Sequence, residues 1–427
     1  MIWPSTFHWR AEALRLARQP LAGWALGALL LVLLASATSA GLDARAWRAA
    51  QQQDGAVLDQ QLAAALSRFE KNAPGQANAT ATYQLGRGEL GATRMAAQAG
   101  LGLGVQRLAV LPVRLKASLD SRHVDARDPG PLRNPLLAAS GLPGLPAMVA
   151  LLLPLVALVL CAGLLQEERE HGRLGLLRVQ SRRGLGPVLV AALGWRLLAL
   201  WTVAVLGSLP ALLLDPGASA AVLMQWAAAL GAFCAVWVAL GGLLSCVPVS
   251  AAASMLAALG LWLALTFALP AGLVLLAQHA APLPSRLESI VAIRAAQHAS
   301  EDHEQALAQA WYEAHPEIAA HLPAVWPASF VTRVLDQDLA LEGWGVEFAE
   351  ARVGQAAVIA QGAWLSPGLA LVLLGERLAG TDAASHVRYL DQVDAFEQRW
   401  RDFLVPRVMD RQGLRVDELR KLPRFAP

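Results

Sequence analysis

The chain has 427 residues, of which 56% are hydrophobic and only 16% are Asp, Glu, Lys or Arg, against about 25% charged in soluble domains. A net charge of +2 supplies no global field toward nucleic acid, and the three cysteines all lie in or beside apolar stretches. A soluble enzyme, a disulfide-stapled secreted module and a disordered protein are excluded.

A bilayer core about 30 Å thick needs about 20 consecutive apolar residues as helix, because an unpaired backbone polar group in lipid costs several kcal/mol. Five stretches qualify: Leu21 to Ser39, Pro146 to Leu165, Val188 to Leu214, Ala220 to Leu244 and Ala251 to Ala277. In the first, Gly23-Trp-Ala-Leu-Gly27 offers a GxxxG face for close helix packing. Its end, Ala35-Ser-Ala-Thr-Ser-Ala40, also has the small residues that a signal peptidase cuts, which is the rival reading. The only charged side chain within the five is Arg196, about two turns into the third. It is expected to face the bundle or to snorkel to the nearer interface.

Two charge-rich regions lie either side of spans two to five. Residues 42–145 begin as an amphipathic helix prolonging the first span, with Trp47, Val57, Leu58, Leu62 and Leu66, and continue as Gly- and Pro-rich loops and short elements. Residues 278–427 read as helical, from Arg286 to Trp311 and from Asp382 to Met409, the latter with Leu390, Val393, Trp400, Phe403 and Leu404 at helical spacing. Within them, Ala356 to Gly375 is apolar, but Ser366-Pro367 divides it. Ser as N-cap and Pro in the first turn predict a new helix ending near Gly380. Two short helices suit an interfacial or core position better than a sixth span. The fold class is an all-α polytopic membrane protein with five, or six, transmembrane helices.

Arginines set the orientation. Arg10, Arg15 and Arg18 precede the first span, and Arg169, Arg173, Arg178, Arg182 and Arg183 lie between the second and third. Both segments are expected in the cytoplasm. Residues 1–41 then hold the cytoplasmic N-terminus and first span, 42–145 lie outside, 146–277 hold spans two to five, and 278–427 lie outside again.

The segment 166–187 carries the most information. Three glutamates within four residues (Glu167, Glu168, Glu170) surround Arg169. Gly172 breaks the pattern, and Leu174, Leu176, Leu177 and Val179 follow among arginines such as Arg178. A solvated loop explains the arginines alone. A short helix along the membrane, showing charge to a cytosolic partner, explains the glutamates and the break as well.

Glu167-Glu-Arg-Glu-His-Gly-Arg-Leu-Gly-Leu-Leu, followed by Ser181-Arg, resembles the "E-R-E-x-G-T-L-x-x-L-L … S-R" stretch of type-2 ATP-binding-cassette (ABC) permeases. Arg173 stands where that family usually has Thr. Trp364-Leu-Ser-Pro-Gly-Leu-Ala, Ala379-Gly-Thr-Asp382, His386, Phe403 and Leu422-Pro-Arg-Phe425 resemble the subgroup with domain of unknown function 3526. That subgroup carries a last span after the "L-P-R-F" stretch, whereas this sequence ends at Pro427.

The resemblance implies a permease subunit of a bacterial inner-membrane ABC transporter, mostly exporters, embedded in membrane lipid. It implies a coupling helix made of Glu167, Glu168, Arg169, Glu170, Gly172, Leu174, Leu177 and Arg178. The carboxylates are expected to pair with basic groups on a separate ATPase subunit while the apolar residues fill its groove. A second permease subunit, identical or related, completes the pair.

ATP hydrolysis cannot reside in this chain. A P-loop needs Lys before Ser or Thr, and the only lysines, Lys71, Lys116 and Lys421, precede Asn, Ala and Leu. Gly86-Arg-Gly-Glu-Leu-Gly91 matches G-x-G-x-x-G without a βαβ context. His298, Glu301, Asp302 and His303 read as a solvated face rather than metal ligands, and Asn78-Ala-Thr80 is a sequon by pattern alone. No nucleophile arrangement can be assembled, so no catalytic residue, cofactor or metal is expected. An ion-coupled carrier would need titratable groups inside the spans. The second reading is a membrane-anchored assembly or sensor protein whose outer regions bind a partner.

Overall fold

The computed structural model describes residues 5–72, 78–120, 143–180 and 184–426. Helix α1 (Ser5–Arg18) precedes α2 (Pro20–Asn72), a single helix of 53 residues, about 80 Å at 1.5 Å per residue. It contains the first span and carries on well past it. Ala37, Ala40 and Ala44 are fully buried on one face. A Cβ on Gly41 would lie 2.5 Å from the Pro210 carbonyl oxygen, so two backbones nearly touch there. The GxxxG face of the first span is open within the chain: nothing lies within 4 Å of where a Cβ on Gly23 or Gly27 would be.

Beyond α2 come α3 (Ala79–Arg87) and a two-stranded antiparallel pair, β1 (Ala92–Arg94) and β2 (Arg114–Lys116), with Thr93 opposite Leu115. Asn78 is the N-cap of α3, its side chain accepting from the Ala81 N–H. The second span is α4 (Leu145–Cys161). It ends where Gly163 takes φ +87°, and α5 (Leu164–Glu170) restarts at a new angle. Gly172, at φ +69°, separates α5 from α6 (Leu174–Gln180). Spans three and four are α7 (Gly186–Leu213) and α8 (Ala220–Cys246).

The fifth span is α9 (Ala251–Leu263), a π turn (Ala264–Ala268) and α10 (Leu269–Ala280). In that turn the Leu269 N–H bonds to Ala264 O. Pro270 has no N–H, so the Leu265 carbonyl is left without a helical donor. All five helices are long and apolar enough to cross a membrane.

The remaining helices are α11 (Arg286–Asp302), α12 (Glu304–Ala314), α13 (Ala328–Gly362), α14 (Pro367–Ala379), α15 (Ala383–Met409) and the short α16 (Val416–Leu419). As the Ser-Pro pair predicts, Ser366 caps α14 by accepting from the Leu369 N–H, and Gly380 ends it at φ +68°. Its depth is a surprise. The last turns of α13 run down the fifth span, with Gln355 Nε2 donating to Ala281 O at 2.8 Å and Gly362 packed on Leu273. At the tip Ser366 Oγ donates to the orphaned Leu265 carbonyl at 2.7 Å, about halfway along that span by helical rise. Helix α14 then returns with Gly368 beside Ala150 and Gly375 against Pro146 and Trp226. Residues 356–375 thus form a hairpin whose tip, at Ser366, lies beside the middle of the fifth apolar helix.

The two regions flanking the spans in sequence pack into one body. Thr93 Oγ1 and Tyr389 OH lie 2.9 Å apart, Trp400 Nε1 donates to Gly86 O at 3.1 Å, and the Leu414 N–H donates to Thr82 Oγ1 at 2.8 Å. Arg401 donates to the Ser118 and Asp120 carbonyls and pairs with Asp338 at 2.5 Å and Glu397 at 3.3 Å. Gly86 and Gly91, from the G-x-G-x-x-G match, sit against Leu119 and the Ala117 carbonyl in this packing. Glu301 pairs with Arg333 at 2.7 Å, and no metal-binding group of three occurs among the described residues.

Candidate functional site

By the alternation of spans, α1, residues 162–180 and the 246–251 turn share one end of the bundle. At that end residues 162–180 form an elbow in which Gly163 and Gly172 each adopt a left-handed backbone, as does Gly184 before α7. A Cβ at any of the three would be strained by conformation alone, whatever the space. The amphipathic short helix predicted between spans two and three is present, broken at Gly172 as expected.

Residues of the elbow divide by what they touch. Gln166 is fully buried, and its Nε2 donates to Leu244 O at 2.8 Å and Val247 O at 3.0 Å, closing the end of the fourth span. Ser245 Oγ donates to Cys161 O at 3.1 Å on the second. Glu170 is exposed, yet its Oε1 accepts the Ala251 N–H at 2.9 Å, at the start of the fifth. A carboxylate there meets unpaired N–H groups and the positive end of the helix dipole.

Glu168, expected to face a partner, is instead buried within the chain. Arg15 donates to its Oε1 at 2.5 Å, and Arg173 lies 3.6 Å from its Oε2. Arg15 is also 3.7 Å from Glu12, and Glu12 Oε2 is 3.9 Å from Arg196 Nη1. Arg196 does face the bundle. It is 1% exposed, and donates through Nε to Leu160 O at 2.8 Å and through Nη1 to Ala192 O at 2.9 Å. Arg173, Glu168, Arg15, Glu12 and Arg196 thus alternate in sign from the elbow to the interior. Trp195 Nε1 adds a bond to Trp9 O at 2.8 Å, fastening α1 to α7.

The outward face carries the rest. Glu167, Arg169, His171 and Arg173 are exposed, and Leu176 and Val179 are 59% and 80% exposed beside them. Leu174 is half-buried. Ser181, Arg182 and Arg183 lie outside the described residues, as do the side chains of Leu177 and Arg178.

Sequence reasoning missed Glu12 and Gln166. The available signals were a lone acid among the arginines of α1 and a polar residue at the last turn of an apolar span.

Five apolar spans, a charged elbow between two of them and a helical body at the far end define a polytopic helical membrane protein. The family model described as ABC-2 family transporter protein matches residues 13–317, and that of domain of unknown function DUF3526 matches residues 286–427. The chain belongs to the ABC-2 transporter permease family. No curated protein and no solved structure matches it.

Proposed function

We propose that this chain is the membrane-spanning half of an ATP-driven exporter in a bacterial inner membrane, working as a pair and moved by separate ATPase subunits docked on the elbow. The N-terminal helix and elbow then face the cytoplasm, and the large helical body faces outward. The observation that supports this most is the two-sided elbow. Its inner residues Gln166, Glu168 and Glu170 are tied to spans four and five and to α1, while Glu167, Arg169, Leu176 and Val179 stay exposed.

Such a part can pass a push from outside to several helices at once. Contact with the ATPase is assigned to Glu167, Arg169, Gly172, Leu174, Leu177, Arg178 and Val179. Glu168 and Glu170 act by holding the elbow's angle. The test is co-purification of the chain with candidate ABC ATPase subunits from the same cell. Glu167→Arg with Val179→Asp should abolish capture while the spans remain folded; undiminished capture would overturn the assignment. Capture of no ATPase by the unaltered chain would favour the anchored-sensor reading.

A further inference from the structure

A cavity of about 180 Å³ opens in the helical body at the far end of the spans. Ala79 and Thr80 of α3, Val325, Trp326, Ala328 of α13 and Arg411 line it. Helix α2 sets its height, since Leu62, Ala65 and Leu66 pack on the apolar cluster that holds Ala79, Tyr83 and Ala328. Those positions lie about 35 to 40 Å beyond Ser39 by helical rise. Acyl chains and headgroups end well short of that, so whatever enters the cavity comes from water.

Arg411 is a cation without a counter-charge. Its Nη2 donates to the His321 and Pro323 carbonyls at 2.7 and 2.8 Å. Its Nε is shielded from solvent and has no hydrogen-bond partner. Arg401 and Arg407 of α15 pair with Asp338 and Glu418; among the described residues no carboxylate pairs with Arg411. The backbone there is left-handed, with φ 57°, a conformation unfavourable for a residue with a side chain. The fold, rather than local preference, holds this arginine in place.

Two helix ends add to the same field. The leading N–H groups of α3 and α13 have no carbonyl within their helices to meet, and both dipoles present their positive ends. Neither helix carries an acid in its first turn. A guanidinium lacking an acid, at a cavity bordered by two such ends, calls for an anion.

The walls narrow its class. Val325 and Trp326 are 54% and 50% exposed, and Ala79 and Ala328 offer only methyl groups. With Nη2 committed to two carbonyls, one guanidinium supplies a single positive charge through Nε and Nη1. That balances a monoanion joined to a compact apolar group better than a phosphate dianion.

We infer that this cavity binds a carboxylate borne on an apolar residue. The carboxylate meets Arg411 and the first-turn N–H groups, and the apolar part rests on Val325 and Trp326. The end of a peptide chain and a free amphipathic acid share that chemistry. The site stands whether or not the chain transports anything.

The test uses the full chain in lipid nanodiscs and ligand-observed saturation-transfer NMR. N-acetyl-leucine should bind, N-acetyl-leucinamide should bind about tenfold more weakly or not at all, and inorganic phosphate should not compete. Arg411→Gln should weaken the acid by about tenfold. Because Arg411 also holds two carbonyls, Val325→Trp serves as a second variant that fills the mouth without touching them. Tighter binding of alanyl-alanyl-leucine than of N-acetyl-leucine would support the site and assign it to a chain end, and weaker binding would support it as a site for free acids. Equal binding of acid and amide, displacement by phosphate, unchanged affinity in both variants, or no binding of the acid at millimolar concentration would each overturn the inference.

Discussion

Arg15 Nη2 lies 2.5 Å from Glu168 Oε1 across 153 positions of sequence, latching the helix before the first span to the elbow after the second. Through Glu12 the latch reaches Arg196 in the interior of the third span. Exchanging the charges, Arg15→Glu with Glu168→Arg, should restore much of the ATPase stimulation that either single change removes. The coupling energy expected for such a contact is on the order of 1 kcal/mol. A strictly additive double variant would show that the two side chains act separately.

Arg196 should tolerate removal only together with its acid. Arg196→Met leaves the buried Glu12 carboxylate short of a cation and should cost about 3 kcal/mol or more. Adding Glu12→Gln should recover part of that, read as melting temperature in detergent.

Helix spacing gives a contrast between two glycine sites. Gly41→Val drives a side chain into the Pro210 carbonyl, 2.5 Å from the first added carbon, and should lower the melting temperature by several degrees. Gly23→Val and Gly27→Val meet open space and should leave it nearly unchanged.

Arg401 joins elements far apart in sequence. It is buried between Asp338 and Glu397 and donates to two carbonyls at the end of the β2 segment. Arg401→Met should cost about 3–5 kcal/mol, and Arg401→Lys should regain little, because one ammonium cannot replace the planar fork. Limited proteolysis should then open residues 78–120 first.

His386 sets a pH limit on the same body. Burial pushes its pKa below the usual histidine range; the Pro112 carbonyl opposes this, while Arg352 and Arg107 add to it. The unfolded chain takes up the proton near pH 6.5 and the folded chain only at lower pH. Stability from this residue is therefore present above about pH 6.5 and is lost as pH falls from there toward the folded pKa. Between about pH 7.5 and 5.5 the unaltered protein should lose more melting temperature than His386→Gln, and equal losses would refute the effect.

Much of this architecture was legible in the sequence because its causes are local. Twenty apolar residues must be helix in lipid, so the helices of spans two to five fall within a few residues of their predicted bounds, while the first starts at Pro20, within a residue of expectation, and runs on to Asn72. Ser366-Pro367 fixed a helix start by capping chemistry alone. The elbow was legible too, since Gly172 and the glutamates stand out against an apolar background. Its inner contacts were not: nothing local tells Glu168, which turns inward to Arg15, from Glu167, which does not. The depth of Ser366 depends on a carbonyl 101 residues away, and the packing of Trp400 on Gly86 spans 314. A small-residue pattern such as Gly23 and Gly27 states what could approach; within the chain the close approach is at Gly41 against Pro210.

Helix α2 leaves the bundle without a hinge, and Arg48 grips Asp215 and the Gln98 carbonyl while Asp54 meets Arg94 and Arg114. A rod pinned at several points along its length resists bending between them. Any tilt given to its lower end is carried to the outer helical body through a wider arc.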